Sequence, residues 1–318
     1  MRDHGGDIDR AARHYGGTDW IDLSTGINRN PWPVPALSAA AYCDLPTASA
    51  FQRMKSVAAA WFRCAPDQVL PLAGASAAIQ LLPRVIPRGK AAILSPTYNE
   101  HAASLRSAGW TVTAPTEVDG LAGADVAVIV NPNNPDGRTW TPADIATIAA
   151  GVGTLIVDES FADPRPDLSV AGTRPNNVVV LRSFGKFWGL AGLRLGFAVA
   201  APTMLARLQE EAGPWSVSGP ALEIGTAAMA DREWAIDMTM ILAEGAAHLD
   251  QTMTAAGFDL VGGSHLFRLY DVGDAKGLQD KLARAGIWTR IFPYAPSWMR
   301  LGIPANIVEF DRLRAALR

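Results

Sequence analysis

The chain reads as an α/β fold, with a large domain on a mostly parallel central sheet and a smaller α+β domain. Three observations carry this reading. Strand-like and helix-like runs alternate through the middle of the chain. The strand-like runs are continuously apolar and do not alternate, which is the pattern of strands covered on both faces. The 318 residues, 49% hydrophobic and 19% charged, supply a sizeable core over roughly two domains at ~150 residues each.

The elements follow in order. Residues 1–40 are rich in Gly, Pro and Asp, hold little periodic structure, and are expected to form an N-terminal arm packing with the small domain. Leu70-Pro71-Leu72-Ala73 reads as a strand, and Gly74-Ala75-Ser76 opens a helix through Leu82. Ala91-Ala92-Ile93-Leu94 is a strand stopped by Ser95-Pro96, and residues 101–108 are a short helix. Residues 125–130 form a strand stopped by Asn131-Pro132. Residues 141–150 are helical, with Thr141 as N-cap, Pro142 at N1 and Asp144 at N3. Residues 154–157 and 177–181 are two further buried strands. After Pro214 a long helical stretch covers about 220–256. A strand at 266–270, a helix near 277–285, a strand near 287–291 and a helix at 307–317 complete the chain. The predicted division is an arm at 1–40, a large domain at 41–210 and a small domain at 211–318.

Several function classes are excluded. A net charge of −3 offers no basic field for nucleic acid or an anionic membrane. No apolar run approaches the about 18–20 residues that span a bilayer, and Met1 to Asp7 carry no apolar segment of a secretory signal. With only Cys43 and Cys64, a reducing, cytoplasmic location is expected. No two of the five histidines have the spacing of a helical zinc site, and no metal is expected. Neither Gly89-Lys90 nor Gly185-Lys186 is followed by Ser or Thr, so there is no P-loop. The glycines at 189, 192 and 196 lack dinucleotide-binding spacing. Ser183-x-x-Lys186 fits the S-x-x-K of penicillin-recognising enzymes, but no lysine precedes Thr-Gly.

In open α/β sheets, ligands sit beyond the carboxyl ends of the strands, so the residues that follow each strand carry the functional reading. Gly74-Ala75-Ser76 is either an ordinary strand–helix turn or a phosphate site at a helix N-terminus. Tyr98 is placed equally well to stack on a planar ligand or to fill core. Asn131 to Gly137 reads alone as a proline-rich turn. Asp158 and Glu159 follow a buried strand, where a carboxylate needs a partner such as a cationic ligand nitrogen. Lys186 is the most informative position. It is one of five lysines and lies among Phe, Gly, Trp and Leu, where apolar surroundings make the amine a good nucleophile. Ser183 and Arg194 flank it, placed to converge on one anion. Five strand ends with ligand-type chemistry form a constellation.

Ser183-Phe184-Gly185-Lys186 with Gly189-Leu190-Ala191-Gly192-Leu193-Arg194-Leu195-Gly196 resembles the lysine signature of fold-type I pyridoxal 5′-phosphate (PLP) enzymes. Asn133-Asn134-Pro135 and Asp158-Glu159-Ser160-Phe161 resemble its two companion motifs. Within that group the chain is similar to the histidinol-phosphate aminotransferases, and more narrowly to the threonine-phosphate decarboxylase family. The narrower likeness rests on His4-Gly5-Gly6, on Ser24-Thr25-Gly26-Ile27-Asn28 with Asn30-Pro31, and on Pro214-Trp215-Ser216-Val217-Ser218.

The resemblance implies a role for each matched residue. Lys186 would carry PLP covalently and later shuttle protons. Asp158 would keep the ring nitrogen protonated, Asn134 would hydrogen-bond the ring hydroxyl oxygen, and Tyr98 would stack on the ring. Ala75, Ser76, Ser183 and Arg194 would bind the cofactor phosphate. Arg300 would fork the substrate carboxylate, assisted by Asn28, with Arg290 and His4 as candidates for a substrate phosphate. The implied reaction is decarboxylation of L-threonine O-3-phosphate, a phosphorylated amino acid, to aminopropanol phosphate in cobalamin biosynthesis. The alternative is an aminotransferase acting on an amino acid or a phosphorylated amine. A homodimer is implied, with the arm around Trp20, Trp32 and Tyr42 covering the partner. The chain departs from the wider group at Phe161, where many aminotransferases have tyrosine. It departs again at Leu45-Pro46, where relatives often have Tyr-Pro, with Tyr42 nearby as a substitute. Gly74-Ala75-Ser76 also lacks the acidic or threonine residue common in that loop.

Overall fold

The computed structural model describes residues 4–318; Met1 to Asp3, part of the stretch searched for a secretory signal, lie outside the described residues. Two compact units divide the chain. The larger holds Trp32–Asn134 and Thr139–Glu233, and the smaller takes the chain up to Pro31, Pro135–Arg138 and Trp234–Arg318. These boundaries differ from the sequence-predicted 40/41 and 210/211. Residues 211–233 go with the larger unit because the Gly219–Ala230 helix packs on Ala48–Phe62. Trp32 goes there too, since its N–H donates to Trp188 O (3.0 Å) and its indole to Asp231 (3.0 Å).

In the larger unit seven strands form one sheet in the order Val69–Leu72, Gly196–Val199, Val178–Ser183, Thr154–Asp158, Val126–Val130, Lys90–Ile93, Thr111–Thr113. Gly196–Val199 is antiparallel to both neighbours, and the remaining pairs are parallel. Six strands therefore end on one edge of the sheet, and their following loops gather there. Val126–Val130 is buried at all five positions, so both faces are covered, as its unbroken apolar run requires. On one face Val128, Ile156, Val179 and Leu181 meet Ile79 and Leu82 of the Ala75–Val85 helix and Leu205 and Leu208 of Pro202–Ala212.

The Pro142–Ala150 helix begins as its sequence requires: Asp144 N–H donates to Thr141 Oγ1 (3.2 Å) and Thr141 N–H to Asp144 Oδ2 (2.8 Å). Two strands of this unit escape sequence reading, Thr111–Thr113 because it is three residues long at an edge, and Gly196–Val199 because it opens on glycine. That glycine is required: a Cβ on Gly196 would lie 2.2 Å from Ala75 N.

In the smaller unit four antiparallel strands run in the order Arg290–Phe292, Ala295–Gly302, Phe267–Asp271, Asp259–Ser264. Ile21–Asp22 pairs in parallel with Ile287–Trp288. The predicted strand at 287–291 is thus two strands in two sheets, divided at Thr289. Helices Ile8–Tyr15, Arg232–Ala255, Ala275–Arg284 and Ile307–Leu317 complete the unit, with Leu249, Met253, Tyr270, Met299, Leu301 and Leu313 in its core. The predicted single helix at 220–256 is two, broken at Asp231 (φ −82°, ψ 82°).

The arm is more ordered than its composition suggests. Asp7 accepts Arg10 N–H (3.0 Å) and caps Ile8–Tyr15, and Ile8, Ala11 and Tyr15 recur at helical spacing to pack against Trp288 and Ala283. Its tryptophans do not face outward as expected. Trp20 packs at 6.5 Å from the Trp288 ring, and Trp32 is buried within the larger unit. Tyr42 alone of the three is exposed. Among the described residues no helix is long and apolar enough to cross a membrane.

Candidate active site

The loops at the carboxyl edge of the large sheet line a pocket. All eight residues expected to hold a cofactor line it: Ala75, Ser76, Tyr98, Asn134, Asp158, Ser183, Lys186 and Arg194. Gly74, Ile79, Val130, Ser160, Phe161, Gly185 and Ala191 complete the wall.

Asp158 is the deepest polar group. Its strand delivers it to the sheet edge, and alternation sends the next residue to the opposite face. Glu159 there is held by Arg182 (2.7 Å), Ser169 (2.6 Å) and Val170 N–H (2.7 Å). Arg182 also binds Asp163, which in turn accepts the Trp61 indole N–H (2.9 Å). On the pocket side Asp158 Oδ1 accepts Ser160 Oγ (2.5 Å) and Ser160 N–H (3.0 Å), and Oδ2 lies 2.9 Å from His101 Nε2. Burial pushes the Asp158 carboxyl up, but the hydrogen bond and charge of His101 and the two donors of Ser160 outweigh it and hold it below the ordinary carboxylate range. The group is an ionised carboxylate facing a cavity. Sequence reading missed His101 and Ser160. The available signals were spacings: Ser160 stands two residues after Asp158, the reach of a local turn, and His101 stands three after Tyr98.

The anion end lies at the pocket's mouth. Gly74 (φ 83°) precedes the Ala75–Val85 helix, whose first N–H groups and positive dipole end face the pocket at Ala75 and Ser76. A Cβ on Gly74 would stand 2.8 Å from Arg194 Nη2, so glycine here meets both a backbone and a space requirement. Arg194 itself sits in the left-handed region (φ 52°), a conformation held against its cost by its surroundings. Its guanidinium is fixed by Ala191 O (3.1 Å). Ser183 ends the neighbouring strand.

Lys186 lies on the short Phe184–Phe187 helix, with Nζ 5.6 Å from the centre of the Phe161 ring. Asn133 ties two loops together, accepting Thr97 Oγ1 (2.7 Å) and donating to Pro96 O (3.0 Å), which leaves Asn134 to line the pocket. Tyr98 packs on the core and also lines the pocket. A primary amine, an ionised carboxylate for a ring nitrogen and a glycine-cleared cradle for a dianion together fit pyridoxal phosphate.

The four residues expected to contact substrate lie in the smaller unit. Arg300 is buried on the Ala295–Gly302 strand, donates from Nη2 to Ser24 O (2.7 Å) and lies over the Phe267 ring (5.2 Å). Burial and the charge of Arg290 bring its pKa down to about 10. Asn28 is buried, and its Oδ1 accepts Asn30 N–H (2.9 Å). Arg290 is the register partner of Arg300 across the hairpin. Arg290 and His4 line a second cavity, which Arg300 and Asn28 do not.

Comparison with known proteins places this geometry. The chain is 44% identical to a threonine-phosphate decarboxylase of Sinorhizobium sp. over 99% of this chain and 97% of that protein. It is 41% identical to the threonine-phosphate decarboxylase of Pseudomonas aeruginosa over 100% and 97% of the two chains. Among solved structures, histidinol-phosphate aminotransferase from Sinorhizobium meliloti in complex with pyridoxal-5′-phosphate superposes with a TM-score of 0.84 at 20% identity, covering 97% of this chain and 92% of that one. The cofactor of this protein is pyridoxal 5′-phosphate, which the pocket's donor set fits. A family model described as aminotransferase class I and II matches residues 19–316, and the chain belongs to that family.

Proposed function

We propose that the protein decarboxylates L-threonine O-3-phosphate to aminopropanol phosphate, the cobalamin-biosynthetic reaction. The observation that carries this reading is near-full-length identity of 44% and 41% to two relatives that bear the name threonine-phosphate decarboxylase.

When bound, pyridoxal phosphate supplies an electron-withdrawing ring that accepts the electron pair left on Cα as a bond breaks. The chain's own residues do the rest. Lys186 Nζ would hold the cofactor and supply the proton that Cα takes up in place of CO₂. Asp158, kept ionised by His101 and Ser160, pairs with the ring nitrogen and keeps it protonated. Ala75 and Ser76 N–H, the Ser183 hydroxyl and Arg194 bind the cofactor phosphate. Asn134 donates to the ring hydroxyl oxygen, and Tyr98 covers the ring. Phe161 offers the ring oxygen no hydrogen bond, so Asn134 carries that contact. Arg300 forks the substrate carboxylate with help from Asn28, while Arg290 and His4 take the substrate phosphate. An incoming carboxylate relieves the cost of a buried guanidinium with a second arginine as its strand partner.

The direct test is incubation of the holoenzyme with L-threonine O-3-phosphate. Release of CO₂ with aminopropanol phosphate is expected, with none from Lys186→Ala, and borohydride should fix the cofactor on Lys186 alone. A keto product formed only with an amino acceptor would mark an aminotransferase, and label on another lysine would overturn the Lys186 assignment.

Arg300→Ala should weaken substrate binding by ~2–5 kcal/mol, the range for one partner of a buried charge pair, with melting temperature and cofactor affinity unchanged. Arg300→Lys should not restore it, because a point charge cannot reproduce the planar fork. A variant with kcat/KM within threefold of wild type refutes the anchor role.

We further propose a homodimer, in which the exposed Tyr42 (69%) and Leu45 (65%) are covered by the partner. Sedimentation velocity of the holoenzyme at micromolar concentration should show one species at twice the chain mass, and a monomer would contradict the proposal.

A further inference from the structure

Ser24 is fully buried, and each of its oxygens holds a part of the chain expected to contact substrate. Its carbonyl accepts Arg300 Nη2 (2.7 Å). Its hydroxyl donates to Asp22 Oδ1 (2.6 Å) and accepts Gly6 N–H (2.7 Å), so its single hydrogen is used and it also serves as an acceptor. Asp22 Oδ1 accepts Ser24 N–H as well (2.9 Å), the local turn an aspartate makes with the residue two ahead. The backbone next to Ser24 is fixed on two sides, since Leu23 N–H donates to Trp288 O (2.8 Å) and Leu23 O accepts Gly302 N–H (2.7 Å). Gly5 packs so closely that a Cβ there would collide with Ser24 O, the same oxygen that holds Arg300, and would stand 3.0 Å from Ser24 Oγ. His4, which precedes these glycines, lines one cavity with Arg290.

We propose that Ser24 is a positioning residue of the substrate site: its carbonyl aims Arg300, its hydroxyl pins the arm that carries His4, and one residue thereby sets the separation between the carboxylate and phosphate contacts. This role rests on the reading that Arg300 receives the substrate carboxylate and that His4, with Arg290, receives its phosphate. A substrate whose phosphate lies at the set reach from its carboxylate gains both contacts, and a plain amino acid gains one. A guanidinium already held at one nitrogen loses less freedom when a carboxylate arrives, and a chain segment near the terminus gains the same benefit from being tied down. The turn at Asp22 is closed by Ser24 N–H alone. The bond to Gly6 N–H lies outside that turn and joins residues 18 apart in the chain.

Ser24→Ala removes the hydroxyl and keeps the carbonyl. In the holoenzyme it should raise KM for L-threonine O-3-phosphate about fivefold, the scale of one net hydrogen bond, with kcat within twofold and the cofactor's absorbance spectrum unchanged. Isothermal titration of the holoenzyme should show weaker binding of inorganic phosphate and unaltered binding of L-threonine, which has the carboxylate but no phosphate. Gly5→Ala acts on the other oxygen: its methyl presses on Ser24 O, so L-threonine binding should weaken in that variant. If wild type does not decarboxylate the substrate yet the two variants show these two patterns, the positioning role stands and the reaction assignment falls. If wild type turns over while both variants leave KM and both affinities within twofold, the role of Ser24 is overturned. It is overturned as well if Ser24→Ala weakens phosphate and L-threonine binding equally with a fall in melting temperature, the signature of a residue that only supports the fold.

Discussion

The buried carboxylate of Asp158 is the constraint on which the site depends. It sits at the carboxyl end of a strand paired in parallel on both sides, in surroundings that make an unpaired charge cost several kcal/mol. Two donors from Ser160 and the ring of His101 hold it ionised. The residue beside it raises the same problem on the opposite face, where Arg182 answers for both Glu159 and Asp163. Consecutive acids are tolerated here because the pleat separates them and each side has its own partners. The difference between the two sides is functional. Glu159 is closed in by neighbours from the fold, whereas Asp158 keeps one direction open to the pocket.

The anion end is organised by sterics. Gly74 leaves room for the Arg194 guanidinium, and Gly196 lets its strand run against Ala75 N. Arg194 holds a backbone conformation that favours glycine, yet an arginine is kept there for its side chain. Such strain is retained where the surrounding structure over-determines it. Side chains at either glycine would close the cradle that the helix N-terminus opens.

How legible these features were depended on how local their causes are. The buried strands announced themselves as unbroken apolar runs, and Thr141-Pro142-x-Asp144 wrote its own helix start. Ser76, Tyr98, Asp158, Ser183 and Lys186 were readable as candidates because the carboxyl ends of parallel strands converge by topology, whereas Asn134 stood in what read alone as a proline-rich turn and was singled out only by resemblance to a family motif. His101 was not readable in that way. Its role comes from the approach of a helix to a strand 57 residues later in the chain, and a lone histidine carries no period. The Ile8–Tyr15 helix was hidden by glycine-rich flanks, and its stability comes from Trp288 and Ala283, far along the chain. The hairpin around Pro293 and Tyr294 was hidden for a related reason: a bulge breaks the alternation that marks a strand. Trp20 and Trp32 were read as cover for a partner because sequence shows aromatic character but not direction.

The central claim is that Asp158 stays ionised and thereby keeps the cofactor's ring nitrogen protonated. The direct measurement is the ¹⁵N chemical shift of ring-labelled pyridoxal phosphate bound to the protein at pH 8, in wild type and in Asp158→Asn. The account predicts a protonated nitrogen in wild type and an unprotonated one in the variant, with His101 and the fold intact in both. An unprotonated nitrogen in wild type, or a protonated one that survives loss of the carboxylate, would contradict it.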